Sequence, residues 1–241
     1  MNNRRSFIVG IKSLKLSSRE KLFLRRYKPW GVILFTRNIK NIKQTLKLTT
    51  SIRKIFKDKK YPILIDQEGG RVNRLKNIIS FDNLTSEYFG RKFVKNYKEF
   101  NIYYKLFVDK TSYLLKSIGV NINTSPVLDL RIKGASNIIG NRSFSNNPKT
   151  VSKIGDHCID YFHKNGIGTV MKHIPGHGLA KADSHHFTPV VKKKLNYLSK
   201  KDFVSFKKKK AFFAMTAHII FNQIDNKYTV THSKKLIKLI R

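Results

Sequence analysis

Along the chain, short runs of consecutive apolar residues alternate with longer stretches whose apolar positions recur every three to four residues. The runs at 7–11 (FIVGI), 31–35 (GVILF), 62–66 (PILID), 120–123 (VNIN), 168–172 (GTVMK) and 212–218 (FFAMTAH) predict six strands. GVILF has no polar position, as expected of a strand buried on both faces. Helical spacing fills the intervals. Ser17-Ser18-Arg19-Glu20 is a capping box that opens a helix reaching about Tyr27. Ile42, Leu46, Thr49 and Ile52 share one helical face up to about Phe56. Further helices are predicted over 86–116 and 148–164, and a short amphipathic one over 233–240.

Strand–helix alternation at this spacing implies an α/β fold with a parallel sheet. Several strands finish in polar residues, namely Asp66, Asp129 (after Ser125-Pro126-Val127-Leu128), Lys172-His173 and His218. Functional residues at the carboxyl ends of successive strands are the pattern of a TIM-type (β/α) barrel. A doubly wound sheet also alternates, but no glycine-rich phosphate turn follows the first strand. The expectation is an incomplete barrel, with about six of eight βα units in one domain spanning residues 1–241.

Composition narrows the function classes. Hydrophobic residues are 40% and aromatics 12% of the 241 residues, so disorder is not the natural reading. The single cysteine, Cys158, rules out an intramolecular disulfide and any CxxC metal site, and its helical setting reads as a small buried hydrophobe. The apolar run near the N-terminus is about five residues, too short for a signal-peptide core, and nothing approaches the ~20 apolar residues of a membrane span. A cytoplasmic protein with no membrane association is therefore expected.

The formal charge of +36 points first to nucleic acid. Lysine outnumbers arginine 37 to 13 and asparagine occurs 19 times, a bias of the kind an AT-rich genome produces. Arginine-led base readout and aromatic stacking motifs are missing. No specific nucleic-acid partner is expected, only salt-sensitive adhesion to polyanions.

The chemistry concentrates in residues 172–186, KHIPGHGLAKADSHH. His173, His177, Asp183, His185 and His186 fall here together with Pro175, Gly176 and Gly178, a mixture that excludes a helix interior or a regular strand. A loop this rich in titratable groups is a candidate site. A metal site is one reading, but the spacing matches no HExxH or related zinc pattern. Proton transfer is another, since Asp183 and His185 stand two apart and the carboxylate can fix the imidazole tautomer. A structural histidine cluster is the third. Residues 66–74 (DQEGGRVNR) add two carboxylates, two glycines and two arginines just after a strand, and 139–144 (IGNRSF) adds Arg142.

Read together, the segments are specific. GVILFTRNI (31–39), LIDQEGGRVNRL (64–75), SPVLDLR (125–131), IIGNRSF (138–144), KHIPGHGLAKADSH (172–185) and MTAHI (215–219) resemble, in order, the bacterial β-N-acetylhexosaminidases of glycoside hydrolase family 3. The resemblance implies a TIM-type barrel and a cytoplasmic enzyme that removes terminal N-acetylglucosamine from peptidoglycan fragments during cell-wall recycling. It implies that Asp66 bonds sugar hydroxyls and that Arg74, Arg142, Lys172 and His173 bind the N-acetylglucosamine unit. His185 would be the general acid/base with Asp183 as its dyad partner. No metal and no organic cofactor is implied, and a cis Ile174-Pro175 bond is expected.

The chain departs from the family in two respects, the nucleophile motif and the last two βα units of the barrel. The family's retaining mechanism uses an aspartate nucleophile in an SDDL-type motif after the next strand, and no Ser-Asp-Asp sequence occurs here. Asp225 matches a non-catalytic position and is not promoted to that role. Two readings follow: an enzyme whose nucleophile is supplied by a separate C-terminal fragment, or a truncated sugar-binding pseudoenzyme with little or no hydrolysis. An open barrel of this kind is expected to self-associate or to be unstable alone.

Overall fold

The first apolar run forms β1 (Arg5–Gly10), and the capping box opens α1 (Ser18–Tyr27) as the sequence predicts. The Ser17 hydroxyl accepts from the Glu20 amide at 3.2 Å while the Glu20 carboxylate accepts from the Ser17 amide at 2.8 Å. β2 (Pro29–Leu34), α2 (Ile42–Phe56) and β3 (Ile63–Ile65) follow. The structure, a computed structural model, describes residues 4–181 and 188–241.

The predicted helix over 86–116 divides into α3 (Ser86–Lys95) and α4 (Tyr97–Ser117). The break is Asn96, whose backbone leaves helical geometry at φ −152° and ψ 97°. Its side chain accepts from the Glu99 amide at 3.1 Å, so the asparagine caps a new helix rather than continuing the old one. β4 (Ile122–Asn123), α5 (Pro148–Lys164) and β5 (Gly168–Ile174) complete the region that holds the site. Beyond them lie β6 (Val190–Val191), α6 (Leu195–Lys200), β7 (Phe213–Thr216), β8 (Ile220–Phe221) and α7 (Lys234–Ile240). β6 and β8 form a small parallel pair that hydrophobic patterning did not predict.

The six predicted strands make one parallel sheet in the order β1-β2-β3-β4-β5-β7. Over the central strands β2 to β5 both faces are largely buried, but against different things. Ile63 and Ile65 pack into the large core beneath the helices, whereas Leu64 between them joins Ile122, Val170, Trp30 and Ile33 on the other face. On that inner face Trp30 of β2 meets Phe213 of β7 edge-on, with ring centroids 5.2 Å apart. Those strands lie four places apart in the sheet, so the contact requires the sheet to curl. The fold is six strands of a TIM-type barrel.

Because all six strands run in parallel, their carboxyl ends gather on one rim. Asp66 follows β3, Thr124 follows β4, and Lys172 and His173 close β5. Under the helical face, Cys158 of α5 is buried against Tyr104 of α4, and burial pushes its thiol up to about 12. Among the described residues, no helix is long and apolar enough to cross a membrane.

Candidate active site

Asp66 stands at the centre of the rim, where β3 ends. One carboxylate oxygen accepts the Thr124 hydroxyl at 2.8 Å and pairs with the Lys172 ammonium, and the other accepts Arg74 Nη2 at 3.0 Å. Burial alone would raise this carboxyl, but Lys172, Thr124 and Arg74 outweigh it and hold Asp66 well below the usual carboxylate range. Asp66 is therefore an anion that accepts.

Lys172 reaches the rim from β5 with its side chain almost wholly buried. Its Nζ also lies 2.6 Å from Glu68 Oε1. Glu68 in turn receives Arg142 through two bonds, Nε to Oε2 and Nη2 to Oε1, each 2.8 Å. This forked geometry is one only arginine supplies. Burial works against the Arg142 charge, but Glu68 more than compensates and moves the guanidinium above its ordinary range. Arg71 fixes the loop that carries Arg142 by donating to the carbonyls of Asn137 and Ile138 at 2.6 Å each.

A second carboxylate, Asp129, organises the histidines. It is fully buried, accepts the His177 amide at 2.7 Å and contacts His173 Nδ1 at 2.6 Å. Burial would raise its carboxyl too, but His173 and His177 together hold it below the usual range. Burial also lowers the His177 imidazole, which favours its neutral form. The peptide bonds Lys172-His173 and Ile174-Pro175 are both cis, the second as expected from the sequence.

Two carboxylates, Asp66 and Glu68, thus pair with three fixed cations, Arg74, Lys172 and Arg142, while a third, Asp129, pairs with His173. Such a balanced array of directed donors and acceptors suits a neutral ligand rich in hydroxyls. Its open tips are Asp66, Arg74 and His173, whose side chains keep 19, 27 and 18% exposure.

Five sequence-predicted site residues, Asp66, Arg74, Arg142, Lys172 and His173, converge here. Asp183 and His185 lie outside the described residues. Among the described residues, no group of three or more histidine, cysteine, aspartate or glutamate side chains is placed to hold a metal ion. Sequence reasoning assigned no role to Glu68, Thr124 or Asp129. The signal for two of them was present, as Glu68 sits in the DQEGG turn and Asp129 at a strand end.

The profile of the "Glycosyl hydrolase family 3 N terminal domain" matches residues 8–241. The chain belongs to glycosyl hydrolase family 3. Among family 3 relatives, the sequence is 33% identical over 227 residues to a beta-hexosaminidase of Actinobacillus pleuropneumoniae, covering 91% of this chain and 63% of the relative. It is 32% identical over 216 residues to beta-hexosaminidase A of Pseudoalteromonas piscicida, covering 86% of this chain and 36% of that protein. The chain therefore spans between about one third and two thirds of these curated relatives. Its fold matches the crystal structure of NagZ from Neisseria gonorrhoeae in complex with N-trifluoroacetyl-D-glucosamine, with a TM-score of 0.88 at 28% identity. That match covers 98% of this chain and 70% of the other.

Proposed function

We propose that residues 1–241 form the N-terminal barrel domain of a cytoplasmic β-N-acetylhexosaminidase that releases terminal N-acetylglucosamine from peptidoglycan fragments. The observation that carries this reading is the Asp66–Lys172–Glu68–Arg142 network on the carboxyl rim of the barrel. The beta-hexosaminidase names of the relatives support it, as does the amino-sugar derivative bound to the similar NagZ structure.

Within this reading Asp66 accepts hydrogen bonds from sugar hydroxyls, and Arg74, Arg142, Lys172 and His173 surround the N-acetylglucosamine ring. His185, paired with Asp183, donates a proton to the glycosidic oxygen as the aglycone leaves, while an aspartate bonds to the anomeric carbon. His185 then takes a proton from water as the water oxygen replaces that aspartate, and configuration is retained. No Ser-Asp-Asp sequence occurs among the 241 residues, and in this reading a separate C-terminal fragment would supply the aspartate.

Calorimetric titration with N-acetylglucosamine, beside hydrolysis of a fluorogenic aryl β-N-acetylglucosaminide, tests the proposal. Sugar binding that Asp66→Ala abolishes is expected. Turnover lost in His185→Ala places a nucleophile within these residues, whereas binding without turnover places it elsewhere or marks a sugar-binding role alone. A chain with neither binding nor turnover overturns the reading.

A further inference from the structure

Asp202 follows α6 by two residues and is completely buried, yet the mechanism gives it no part. It lies under the turn that leaves β5. A Cβ built on Gly176 would sit 2.7 Å from its Cγ and Oδ2, and one on Gly178 would sit 2.9 Å from its Oδ1. The carboxyl therefore lies against both glycines, one oxygen towards each, and no larger residue fits at either place. Gly176 also holds φ at +147°, a conformation that side chains resist.

The same turn is pinned by a second carboxyl. The His177 amide donates to Asp129 at 2.7 Å, and Asp129 in turn contacts the His173 ring at 2.6 Å. Ser205, three residues beyond Asp202, donates its hydroxyl to the Leu128 carbonyl at 2.6 Å and so ties the α6 segment to the strand end that carries Asp129. Two buried carboxyl groups thus hold one turn.

They are not equivalent. Asp129 collects amide and imidazole donors, whereas neither oxygen of Asp202 completes a hydrogen bond, and its nearest donors are the amides of Gly178 and Leu179. A buried carboxylate on which the nearest amides close no full hydrogen bond is disfavoured as an anion.

We propose that Asp202 is a positioning residue that seats the turn of residues 176–179 on Asp129 and thereby fixes the His173 ring in the sugar pocket. The ligand's identity rests on the function proposed above; the positioning role does not. Burial and the nearby Asp129 charge push the Asp202 carboxyl up to about 8, so at neutral pH it is the uncharged acid. Asp129 is the charged group that acts on it among the described residues. Ionisation would set two mutually repelling anions against one turn, loosen it, and release His173.

The full chain and an Asp202→Asn variant, which keeps the shape and cannot ionise, provide the test. Histidine resonances of the unmodified chain, with the ring carbon labelled, should show an inflection near pH 8 for His173 that the variant lacks. N-acetylglucosamine affinity of the unmodified chain should fall roughly tenfold or more between pH 7 and 9.5, while the variant changes by less than about threefold. A His173 resonance with no inflection in that range, or identical affinity profiles in the two proteins, overturns the positioning role. A chain that shows the inflection but binds no sugar at pH 7 preserves that role and removes the proposed function instead.

Discussion

Lys172 Nζ lies 2.6 Å from Glu68 Oε1, and both side chains are almost wholly withdrawn from water. The pair joins β5 to the turn after β3, and through Arg142 it reaches the loop after β4. Charges this deeply buried are tolerated because each has a partner.

Removing one partner should therefore be expensive. Lys172→Met leaves Asp66 and Glu68 facing each other without their shared cation, and a loss of about 3–5 kcal/mol is expected. Urea unfolding of the two proteins measures it, provided the slopes agree. A loss below about 1 kcal/mol would show that the pair is better solvated than its burial implies.

Acid should weaken the fold in a defined window. Asp66 and Asp129 are both held below their unfolded values, so the stability they add is present above about pH 4 and is lost as pH falls through and below that value. The urea midpoint should drop steadily between about pH 5 and pH 3, and Asp66→Asn should flatten that drop. Equal slopes in both proteins would contradict the linkage.

Gly90 of α3 is where the loop bearing Arg142 docks, since a Cβ there would collide with the Phe144 carbonyl oxygen. Gly90→Ala should cost roughly 1–3 kcal/mol through overpacking. It should also weaken N-acetylglucosamine binding by shifting Arg142. Binding unchanged beside a lowered melting temperature would separate the loop from the site.

β1 and β7 form the two edges of the sheet, and Phe213 and Met215 on one face of β7 are exposed. Apolar side chains on an open edge favour pairing between copies. Sedimentation velocity should show concentration-dependent association, reduced in a Phe213→Lys, Met215→Lys double variant. Monomeric behaviour of the unsubstituted chain at all concentrations would refute this.

Much of the fold was legible because buried strands write themselves as unbroken apolar runs. GVILF and PILID became β2 and β3 with their ends displaced by no more than two residues. The β6–β8 pair was not legible, since two residues per strand carry no periodicity. The Asn96 break was hidden inside helical spacing that continues on both sides of it.

At the site, family resemblance brought five residues to one place, but their partners were invisible. The role of Glu68 comes from Arg142 and Lys172, 74 and 104 positions away along the chain. Asp202 stands in a lysine-rich stretch where a lone aspartate reads as a solvated charge. Only the packing of two glycines against its carboxyl reveals otherwise.

The sole cysteine turns this barrel into its own clock. Cys158 is buried beneath α4 and its thiol is pushed up to about 12, so in the closed molecule almost no reactive thiolate meets solvent. A thiol reagent can then modify the protein only as fast as α5 lifts away from the core. The labelling rate would read, without any introduced probe, how often the helical layer under the site comes open.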